Sequence, residues 1–242
     1  MQNFWQIEYQ VDYSEVDSFN KLRIDGILSL LQLITTFHSK EMGVDGYNTA
    51  KKSKAFWVVS KFKLKIFDIP SLFDQLKVET WPTTVSAIRF NRDYKISKDN
   101  SPCVLATSEW CTLDLDTKSL RKTSSICYPF DMEHIKERSG AGEFSKVTSQ
   151  TEEKDFSHTH TVLYVDIDSN KHTNNLAYIR MALNAFTPQE LQDFNVKEIE
   201  VYFQSQSYYK DQIKVYKKQT ETGYLVQGKL GDKTIFSIIL TK

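Results

Sequence analysis

Residues 162–169 read Val-Leu-Tyr-Val-Asp-Ile-Asp-Ser, and residues 11–18 read Val-Asp-Tyr-Ser-Glu-Val-Asp-Ser. A second pair of similar segments follows in the same order: residues 74–78 read Asp-Gln-Leu-Lys-Val, and residues 211–215 read Asp-Gln-Ile-Lys-Val. Two matches in the same order indicate a duplicated supersecondary unit, whereas a single short match is easily a coincidence. The sequence therefore predicts a chain of two structurally similar halves.

Hydrophobic periodicity predicts a long helix and several strands in the first half. Residues 23–41 carry apolar side chains at helical spacing. Residues 56–67 alternate apolar side chains with lysines, which is typical of a half-buried strand with its lysines facing water. The polar residues 45–54 between them are predicted to form a loop. Further strands are predicted at residues 6–13, 75–82, 88–97 and 103–115.

The second half repeats this order of predicted elements after a polar segment. Residues 128–157 are polar, and they are predicted to be a linker with one short helix at residues 132–138. A strand that ends at Val165 and a helix over residues 174–186 follow. Later strands are predicted at residues 198–204, 211–219, 223–229 and 233–241. A helix packed on an antiparallel sheet in each half is an α+β architecture.

The two halves differ immediately after the repeated Asp-Ser pair. Residues 17–22 read Asp-Ser-Phe-Asn-Lys-Leu, whereas residues 168–172 read Asp-Ser-Asn-Lys-His. When Phe19 is taken as an insertion, Leu22 stands where His172 stands, so the first half lacks the titratable imidazole. This difference is typical of an enzyme with one site built from a duplication, in which the other half shapes a pocket.

A dense polar cluster separates the predicted strand and helix of the second half. Residues 166–178 contain two carboxylates, three carboxamides and one imidazole. A helix cap needs only one Asp or Asn, so this density favours a functional site over a structural cap. The start of a helix also provides free backbone amides that can bind developing negative charge.

Composition excludes several classes of function. The 242 residues include 31 Lys plus Arg and 31 Asp plus Glu, and this balance argues against a general binder of nucleic acid or of membrane surfaces. No apolar run is long enough for a membrane span, and the N-terminus lacks a signal-peptide layout. The three cysteines have no CxxC spacing, so we expect a reducing cytoplasm and no disulfide framework. His158 and His160 lack an evident third ligand, and no metal is expected.

The cluster also carries the pattern D-x-N-x-H-x-N-N-x-x-Y, which is the signature of a known family. The matching residues are Asp168, Asn170, His172, Asn174, Asn175 and Tyr178. The first half adds shorter matches at residues 13–17, 57–60, 79–82 and 108–110. On these residues the chain resembles the acyl-acyl-carrier-protein thioesterases, in particular their bacterial branch, over nearly its whole length.

The resemblance implies two tandem hotdog units, each an antiparallel sheet wrapped around a central helix. The N-terminal unit, with the acyl pocket, is expected at residues 1–130, the linker at 131–157 and the C-terminal catalytic unit at 158–242. The implied activity is hydrolysis of acyl-acyl-carrier-protein thioesters, which releases free fatty acid and ends fatty-acid synthesis. Acyl carrier protein and a fatty acyl thioester are thus the expected partners, and no cofactor is expected.

Thioester hydrolysis needs a polarised carbonyl and an activated nucleophile. Asp168 is expected to act as a base on water or to attack the carbonyl directly, His172 to move a proton, and Asn170 to hold the carbonyl or the water. Asn174 and Asn175, at the start of the helix, are expected to bind the substrate. By the resemblance, three tryptophans line the acyl pocket of the first half: Trp57, Trp81 and Trp110.

Some residues of the cluster have simpler predicted roles. Tyr178 lies one turn into the helix and is predicted to belong to the core. Asp166 is predicted to be a structural cap partner, because its match in the first half, Glu15, persists where the site does not. His38 on the first helix is predicted to be a core or groove histidine.

One departure from the family concerns the strand after the catalytic helix. The family has an acidic residue there, which in plant members is followed by a cysteine. Counting back from Asp211, this chain has Gln206 and Ser207 at those places. Gln206 is therefore expected to join the catalytic set by holding water or substrate through hydrogen bonds, and a cysteine nucleophile is excluded at this place.

Several alternatives remain open at the level of sequence. A local basic surface in the first half is a candidate for docking the acidic carrier, or else it is a solvated loop and strand. Its residues are Lys51, Lys52, Lys54, Lys61, Lys63 and Lys65. The chain is alternatively an acyl-CoA thioesterase, or a non-catalytic acyl-binding hotdog protein, and the presence of Gln206 makes this last alternative credible. Both a monomer and a homodimer are compatible with a tandem hotdog.

Overall fold

The computed structural model describes residues 3–132 and 135–242 of the chain. It divides into two units, Met1–Gly142 and Glu143–Lys242. The division falls inside the predicted linker, residues 131–157, whereas the finer bounds of the two predicted hotdog units stay predictions.

The N-terminal unit is an antiparallel sheet that packs against a long apolar helix. Its elements are β1 (Trp5–Gln10), α1 (Ile24–Glu41), α2 (Gly46–Ser53), β2 (Ala55–Ile66), β3 (Gln75–Val85), β4 (Phe90–Lys98) and β5 (Ser101–Asp114). Within this unit the strands pair in the order β1-β3-β4-β5-β2. α1 packs against β1 and β3, and its buried face includes Ile27, Leu31 and Ile34. The predicted apolar stripe is therefore the core side of α1.

The C-terminal unit repeats this plan with shorter helices. Its elements are β6 (Phe156–Thr161), α3 (Asn175–Leu183), α4 (Pro188–Phe194), β7 (Glu198–Phe203), β8 (Gln212–Gln219), β9 (Gly223–Leu230) and β10 (Lys233–Thr241). The strands pair antiparallel in the order β6-β8-β9-β10-β7, which is the order of β1 to β5 in the first unit. α3 packs against β9 and β10. The two units thus share one topology, as the repeated segments predict.

One glycine shows how closely α3 and the sheet are packed. A Cβ placed on Gly228 would lie 2.1 Å from the ring of Phe236. The Phe236 ring in turn packs on the ring of Tyr178 in α3, with 5.5 Å between the ring centres. Any side chain at residue 228 would displace Phe236 and, through it, the helix that carries the signature tyrosine.

The alignment of the two site loops differs from the sequence prediction. Phe19 N donates to Asp17 Oδ1 over 2.8 Å, and Asn170 N donates to Asp168 Oδ1 over 2.8 Å, so Phe19 and Asn170 are equivalent. The isolated bridges Val16–Leu22 and Ile167–Thr173 agree with this register. The prediction of an insertion at Phe19 is therefore wrong. The structural counterpart of His172 is Lys21, and that of Leu22 is Thr173.

Residues before the second loop also differ from expectation. The strand predicted to end at Val165 ends at Thr161, and residues 164–166 form a 3₁₀ turn. The turn forms because the Asp166 carboxylate accepts a hydrogen bond from Leu163 N over 2.9 Å. The equivalent residues 13–15 form the same turn in the first unit.

Hydrophobic periodicity does not predict two short helices, because they carry few buried apolar residues. The predicted loop at residues 45–54 is largely the helix α2, which begins where Asp45 Oδ1 accepts hydrogen bonds from the N–H groups of Tyr47 and Asn48. α4 begins with Thr187 as N-cap, Pro188 in its first turn and a capping box to Glu190. Among residues 3–132 and 135–242, no helix has the length and apolar character that a membrane crossing requires.

The predicted linker is an extended segment held by buried polar groups. Residues 133–134, in the predicted short helix at 132–138, lie outside the described residues, and residues 135–138 are not helical. On the first unit, Ser139 N donates to Asp93 Oδ2 over 2.7 Å. On the second unit, Thr151 N donates to the buried Gln227 Oε1 over 2.9 Å. We call residues 135–152 the connecting segment.

The connecting segment explains why the lysines of β2 do not all face water. Lys63 is buried, and the Cβ position of Gly142 lies 3.8 Å from its Nζ. Lys61 forms a salt bridge with Glu109 over 3.5 Å. The prediction of a lysine face in water is therefore wrong, because a segment distant in sequence crosses this face of the strand.

Candidate functional site

Asp168 shapes the loop that precedes α3. Its Oδ1 accepts hydrogen bonds from Asn170 N over 2.8 Å and from His172 N over 3.3 Å. Its backbone N–H donates to His172 O over 2.9 Å, which closes the turn. Within the described part of the chain, Oδ2 has only a long contact of 3.5 Å with Asn170 Nδ2. One carboxylate oxygen is thus used by the turn, and the other is available for chemistry.

The same turn in the first unit shows which part of the role of Asp168 is structural. Asp17 Oδ1 accepts hydrogen bonds from Phe19 N over 2.8 Å and from Lys21 N over 3.0 Å. The aspartate is therefore required by the turn in both units, whereas the amide of Asn170 and the imidazole of His172 occur only in the second unit.

His172 and Asn170 lie on this turn and differ in exposure. Asn170 is exposed, whereas His172 is half-buried and its ring packs edge-on against Tyr208, with 5.2 Å between the ring centres. Among the described residues the imidazole of His172 makes no hydrogen bond. Both ring nitrogens are therefore free to exchange a proton with a bound molecule.

The start of α3 adds backbone donors next to the turn. Asn174 is the N-cap, and its Oδ1 accepts a hydrogen bond from Leu176 N over 2.9 Å. Asn174 N donates to Asp166 O over 2.7 Å, which fixes the loop to the preceding turn. Asn175 is the first residue of the helix, where backbone N–H groups lack partners within the helix.

Ser207 connects the segment between β7 and β8 to the start of α3. Its fully buried Oγ lies 2.7 Å from Thr173 Oγ1 and 2.9 Å from Tyr178 Oη. Thr173 N donates to Ser207 O over 3.0 Å, and Ser207 N donates to Tyr178 Oη over 3.0 Å. Burial raises the pKa of Tyr178, so its hydroxyl stays protonated. The signature tyrosine is thus a buried structural residue, as predicted.

Gln206 precedes this buried serine and is half-buried. Its side chain makes no hydrogen bond within residues 3–132 and 135–242, which leaves its amide free to bind a ligand. Because Ser207 is bonded to Thr173, the backbone at residue 206 lies beside the start of α3. Its direct approach to Asp168 and His172 stays a prediction.

Asp166 has the structural role that was predicted for it. Its Oδ2 accepts from Leu163 N over 2.9 Å and lies 2.9 Å from His160 Nε2. In the first unit Glu15 Oε2 accepts from Tyr9 Oη over 2.6 Å in the same way. The neighbouring His158 is partly buried, and burial lowers its pKa. In the part of the chain that the structure describes, no three potential metal ligands come together.

The three predicted pocket tryptophans are each fixed by an indole hydrogen bond in the N-terminal unit. Trp57 Nε1 donates to Val44 O over 2.8 Å, and Trp110 Nε1 donates to Ser108 Oγ over 2.7 Å. Trp81 is buried, and its Nε1 donates to Glu137 O over 3.0 Å. These bonds give all three rings fixed orientations, while their contact with an acyl chain stays a prediction.

A buried polar group in the same unit was not predicted. Arg92 on β4 is buried, and its Nη1 lies 2.9 Å from His38 Nδ1 and 3.2 Å from Thr80 Oγ1. No carboxylate among the described residues pairs with this guanidinium, and burial lowers its pKa. Sequence alternation places Arg92 on one face of β4 but does not reveal that α1 covers that face.

The predicted basic surface of the first unit is interrupted. Lys63 is buried, Lys61 is paired with Glu109, and Lys65 lies 5.6 Å from the ring centre of Phe67. The remaining members lie on or directly after α2: Lys51, Lys52 and Lys54. The six lysines therefore do not form the uniform exposed surface that the sequence suggested.

The sequence matches two domain models of one protein family. Residues 2–127 match the model described as the acyl-ACP thioesterase N-terminal domain, and residues 149–235 match the acyl-ACP thioesterase C-terminal domain. Oleoyl-acyl carrier protein thioesterase 1 of Arabidopsis thaliana is 26% identical over 205 residues, covering 74% of this chain and 53% of the relative. The Coriandrum sativum oleoyl-acyl carrier protein thioesterase is 25% identical, covering 78% and 55%. The chain spans about half the length of these curated relatives.

Solved structures show the same fold over nearly the whole chain. An acyl-ACP thioesterase from Bacteroides thetaiotaomicron aligns with a TM-score of 0.83 and 22% identity, covering 99% of this chain and 97% of the other. The 12:0-ACP thioesterase from Umbellularia californica aligns with a TM-score of 0.82 and 15% identity, covering 100% and 97%. The predicted fold of two tandem hotdog units is thereby confirmed.

Proposed function

The chain belongs to the acyl-ACP thioesterase family, and from this premise we propose that it hydrolyses acyl-acyl-carrier-protein thioesters to free fatty acids, ending fatty-acid synthesis. The observation that carries the proposal is the loop of residues 168–172. Among the described residues, Asp168 Oδ2 has no hydrogen-bond contact closer than the 3.5 Å to Asn170 Nδ2, and the His172 imidazole packs on Tyr208 without a hydrogen bond. The equivalent loop of the first unit has the same backbone but no imidazole.

Asp168 and His172 divide the proton transfers. Asp168 Oδ2 removes a proton from the attacking water, whose oxygen bonds to the thioester carbon, or it attacks that carbon directly to form an anhydride that water then hydrolyses. When the carbon–sulfur bond breaks, protonated His172 donates its proton to the departing thiolate, and the proton released from the water restores it. Both routes consume one water and yield a carboxylic acid and a thiol.

Neutral groups beside these two residues orient the substrate. At the start of α3, Asn174 N and Leu176 N already donate to Asp166 O and Asn174 Oδ1, so the N–H of Asn175 is the amide that stabilises the negative oxygen developing on the carbonyl. Asn170 and Gln206 hold the carbonyl or the water by hydrogen bonds, because a carboxamide offers both a donor and an acceptor. Ser207 is fully buried against Tyr178, which speaks against a nucleophile at this place.

The N-terminal unit supplies the acyl pocket, and the fixed rings of Trp57, Trp81 and Trp110 line it. The three free cysteines support a cytoplasmic location, because secreted proteins usually pair their thiols. No cofactor takes part, since hydrolysis needs only water, proton transfer and oxyanion stabilisation. The protein acts as a monomer or as a homodimer.

The test compares substrates in which the same acyl chain is attached to different carriers. Hydrolysis is measured as the release of free thiol. We expect faster turnover of the acyl carrier protein conjugate than of the same chain on coenzyme A. Preference for coenzyme A would identify an acyl-CoA thioesterase instead. Retention of fatty acid or acyl carrier without any thiol release would identify a non-catalytic acyl-binding protein, the alternative that Gln206 in place of an acid makes credible.

A further inference from the structure

The loops around the candidate site expose a surface that the fold itself does not require. Its side chains, which we call the site rim, are Tyr164, Val165, Lys171, Tyr208, Tyr209 and Lys210. Three loops carry them and are bonded together: Lys210 N donates to Val162 O over 2.9 Å, and Thr173 N donates to Ser207 O over 3.0 Å. The site rim is therefore one continuous surface beside the turn of Asp168 and His172.

The first part of the site rim is apolar where its counterpart in the N-terminal unit is polar. Residues 163–165 read Leu-Tyr-Val, whereas the equivalent residues 12–14 read Asp-Tyr-Ser. Both segments begin the same carboxylate-closed 3₁₀ turn, so the backbone accepts either sequence. Tyr164 and Val165 are nevertheless 87% and 78% exposed. Apolar side chains that are exposed and not needed by the turn indicate a contact surface.

The two lysines of the site rim occupy backbone conformations that do not favour lysine. Lys171 has φ of 65°, and its counterpart is Asn20 with φ of 58°. Lys210 has φ of 72°, and its counterpart is Phe73 with φ of 69°. Asn suits this left-handed region far better than Lys does. At residue 171 a lysine thus stands where the equivalent turn has the better suited Asn20, whereas at residue 210 the counterpart Phe73 is no better suited than lysine.

The positive charges of the site rim face solvent. Lys171 and Lys210 are exposed, and neither forms a salt bridge within the described residues. The carboxylates of the same loops are buried or half-buried and accept hydrogen bonds from backbone N–H groups: Asp166, Asp168 and Asp211. A partner that meets this surface thus encounters apolar groups flanked by cations.

The two adjacent tyrosines complete the surface. Tyr208 and Tyr209 are 52% and 55% exposed, and their counterparts are Ser71 and Leu72. Tyr208 packs on His172, and Lys210 Nζ lies 5.6 Å from the ring centre of Tyr209. Exposed tyrosines with a polar end and an apolar body are characteristic of protein interfaces.

We propose that the site rim is the docking surface for the acyl carrier protein, an inference that rests on the proposed function. The carrier is acidic, so its surface complements two outward lysines around an apolar centre. A carrier bound to these loops delivers its thioester directly to the turn of Asp168 and His172. The interrupted lysine surface of the first unit, with Lys63 buried, is a poorer match.

The test removes the two charges without disturbing the left-handed turns. The variant K171N/K210N uses Asn, which tolerates positive φ. Its matched control, K51Q/K52Q, removes two charges from α2 of the other unit. Each is assayed with one acyl chain on acyl carrier protein and on N-acetylcysteamine, a small thiol without a carrier. Binding of carrier protein is measured separately by titration calorimetry.

The site rim variant is expected to lose about tenfold or more of kcat/KM and of affinity on the carrier at low salt. Its activity on the small thioester stays within about twofold, and the control is unchanged on both substrates. V165S, which copies the counterpart residue Ser14, is expected to lose about threefold or more on the carrier alone.

Three results would overturn the proposal: equal loss on both substrates, unchanged carrier binding in K171N/K210N, or loss in the α2 control instead. The proposal would also be overturned if Lys171 and Lys210 were needed only for binding to vesicles of phosphatidylglycerol and phosphatidylcholine. That result would assign the surface to membrane binding. If the unmodified protein hydrolyses no thioester, the proposed function fails, while calorimetry with the carrier still decides the docking surface.

Discussion

At the scale of single residues, Asp168 combines a structural and a chemical contribution that can be separated. Asp168→Asn keeps an oxygen for the N–H groups of Asn170 and His172 but removes the carboxylate. We expect the melting temperature to change little and the hydrolysis rate to fall by about 10²-fold or more, which is the usual scale for a general base. The rate is measured as thiol release, and the melting temperature by circular dichroism.

The first unit provides the control for this change. Asp17→Asn alters the same turn, with the same two backbone hydrogen bonds, in a loop without an imidazole. It should leave the rate within a few-fold of the unmodified protein. If the two substitutions lower the rate equally, Asp168 is a turn residue and not a catalytic one.

Ser207 is expected to stabilise the site without taking part in the chemistry. Ser207→Ala removes the Oγ that bonds Thr173 and Tyr178, and should lower the free energy of unfolding by about 1–2 kcal/mol. Urea denaturation measures this loss, and turnover at a temperature where the variant is folded should persist. Abolished turnover in the folded variant would instead assign Ser207 a catalytic role.

Gln206 tests whether a second carboxylate is useful beside Asp168. If a base at residue 206 assists, Gln206→Glu should raise the rate or shift its pH dependence. If Asp168 serves alone, repulsion between two carboxylates should raise a carboxyl pKa and slow the reaction at neutral pH. A rate and pH profile identical to those of the unmodified protein would remove residue 206 from the chemistry.

At the scale of elements, the connecting segment is held by buried hydrogen bonds and not by helix formation. Gln227 on β9 accepts from Thr151 N and Oγ1 and donates to Ser237 Oγ over 2.9 Å. Gln227→Leu leaves the buried polar groups of Thr151 and Ser237 without these hydrogen bonds. We expect it to lower the free energy of unfolding by about 2 kcal/mol. Limited proteolysis should then cut residues 143–152 faster.

An exposed contact of the same segment is the control. Lys218 Nζ donates to Gln150 O over 2.9 Å at the surface, where water replaces the bond readily. Lys218→Ala should therefore leave both stability and the proteolysis rate nearly unchanged. Equal effects of the two variants would mean that burial of Gln227 is not what holds the segment.

At the scale of the whole molecule, the cysteines report on global unfolding. Cys103 and Cys111 are buried, and burial raises the pKa of the Cys103 thiol to about 11. Both groups therefore exist as unreactive thiols in the folded protein, while Cys127 is exposed. A thiol reagent at pH 8 should modify one cysteine per chain in buffer and three in urea. Rapid modification of Cys103 in buffer would contradict the packing of β5.

The sequence determined those features that short-range patterns encode. The helical stripe of α1 and the alternation of β2 are set by backbone period, and both elements lie within a residue or two of their predicted bounds. The duplicated segments predicted two units of one topology. The signature from Asp168 to Tyr178 predicted the site loop and the start of α3, because a cap and a turn are formed by neighbours in sequence.

Tertiary structure decided which of these patterns meet and which faces are covered. The alternation of β2 could not reveal that Lys63 is buried, because the covering residue Gly142 is far away in sequence. The register of the two site loops was fixed by the left-handed backbone at Asn20 and Lys171 and by hydrogen bonds. A comparison of residue types in the two segments contains no information on backbone conformation or hydrogen bonding. The burial of Ser207 against Tyr178 likewise depends on packing between the segment that follows β7 and the helix α3. Burial and hydrogen bonding are set by neighbours in space, and residues remote in the chain become neighbours only on folding.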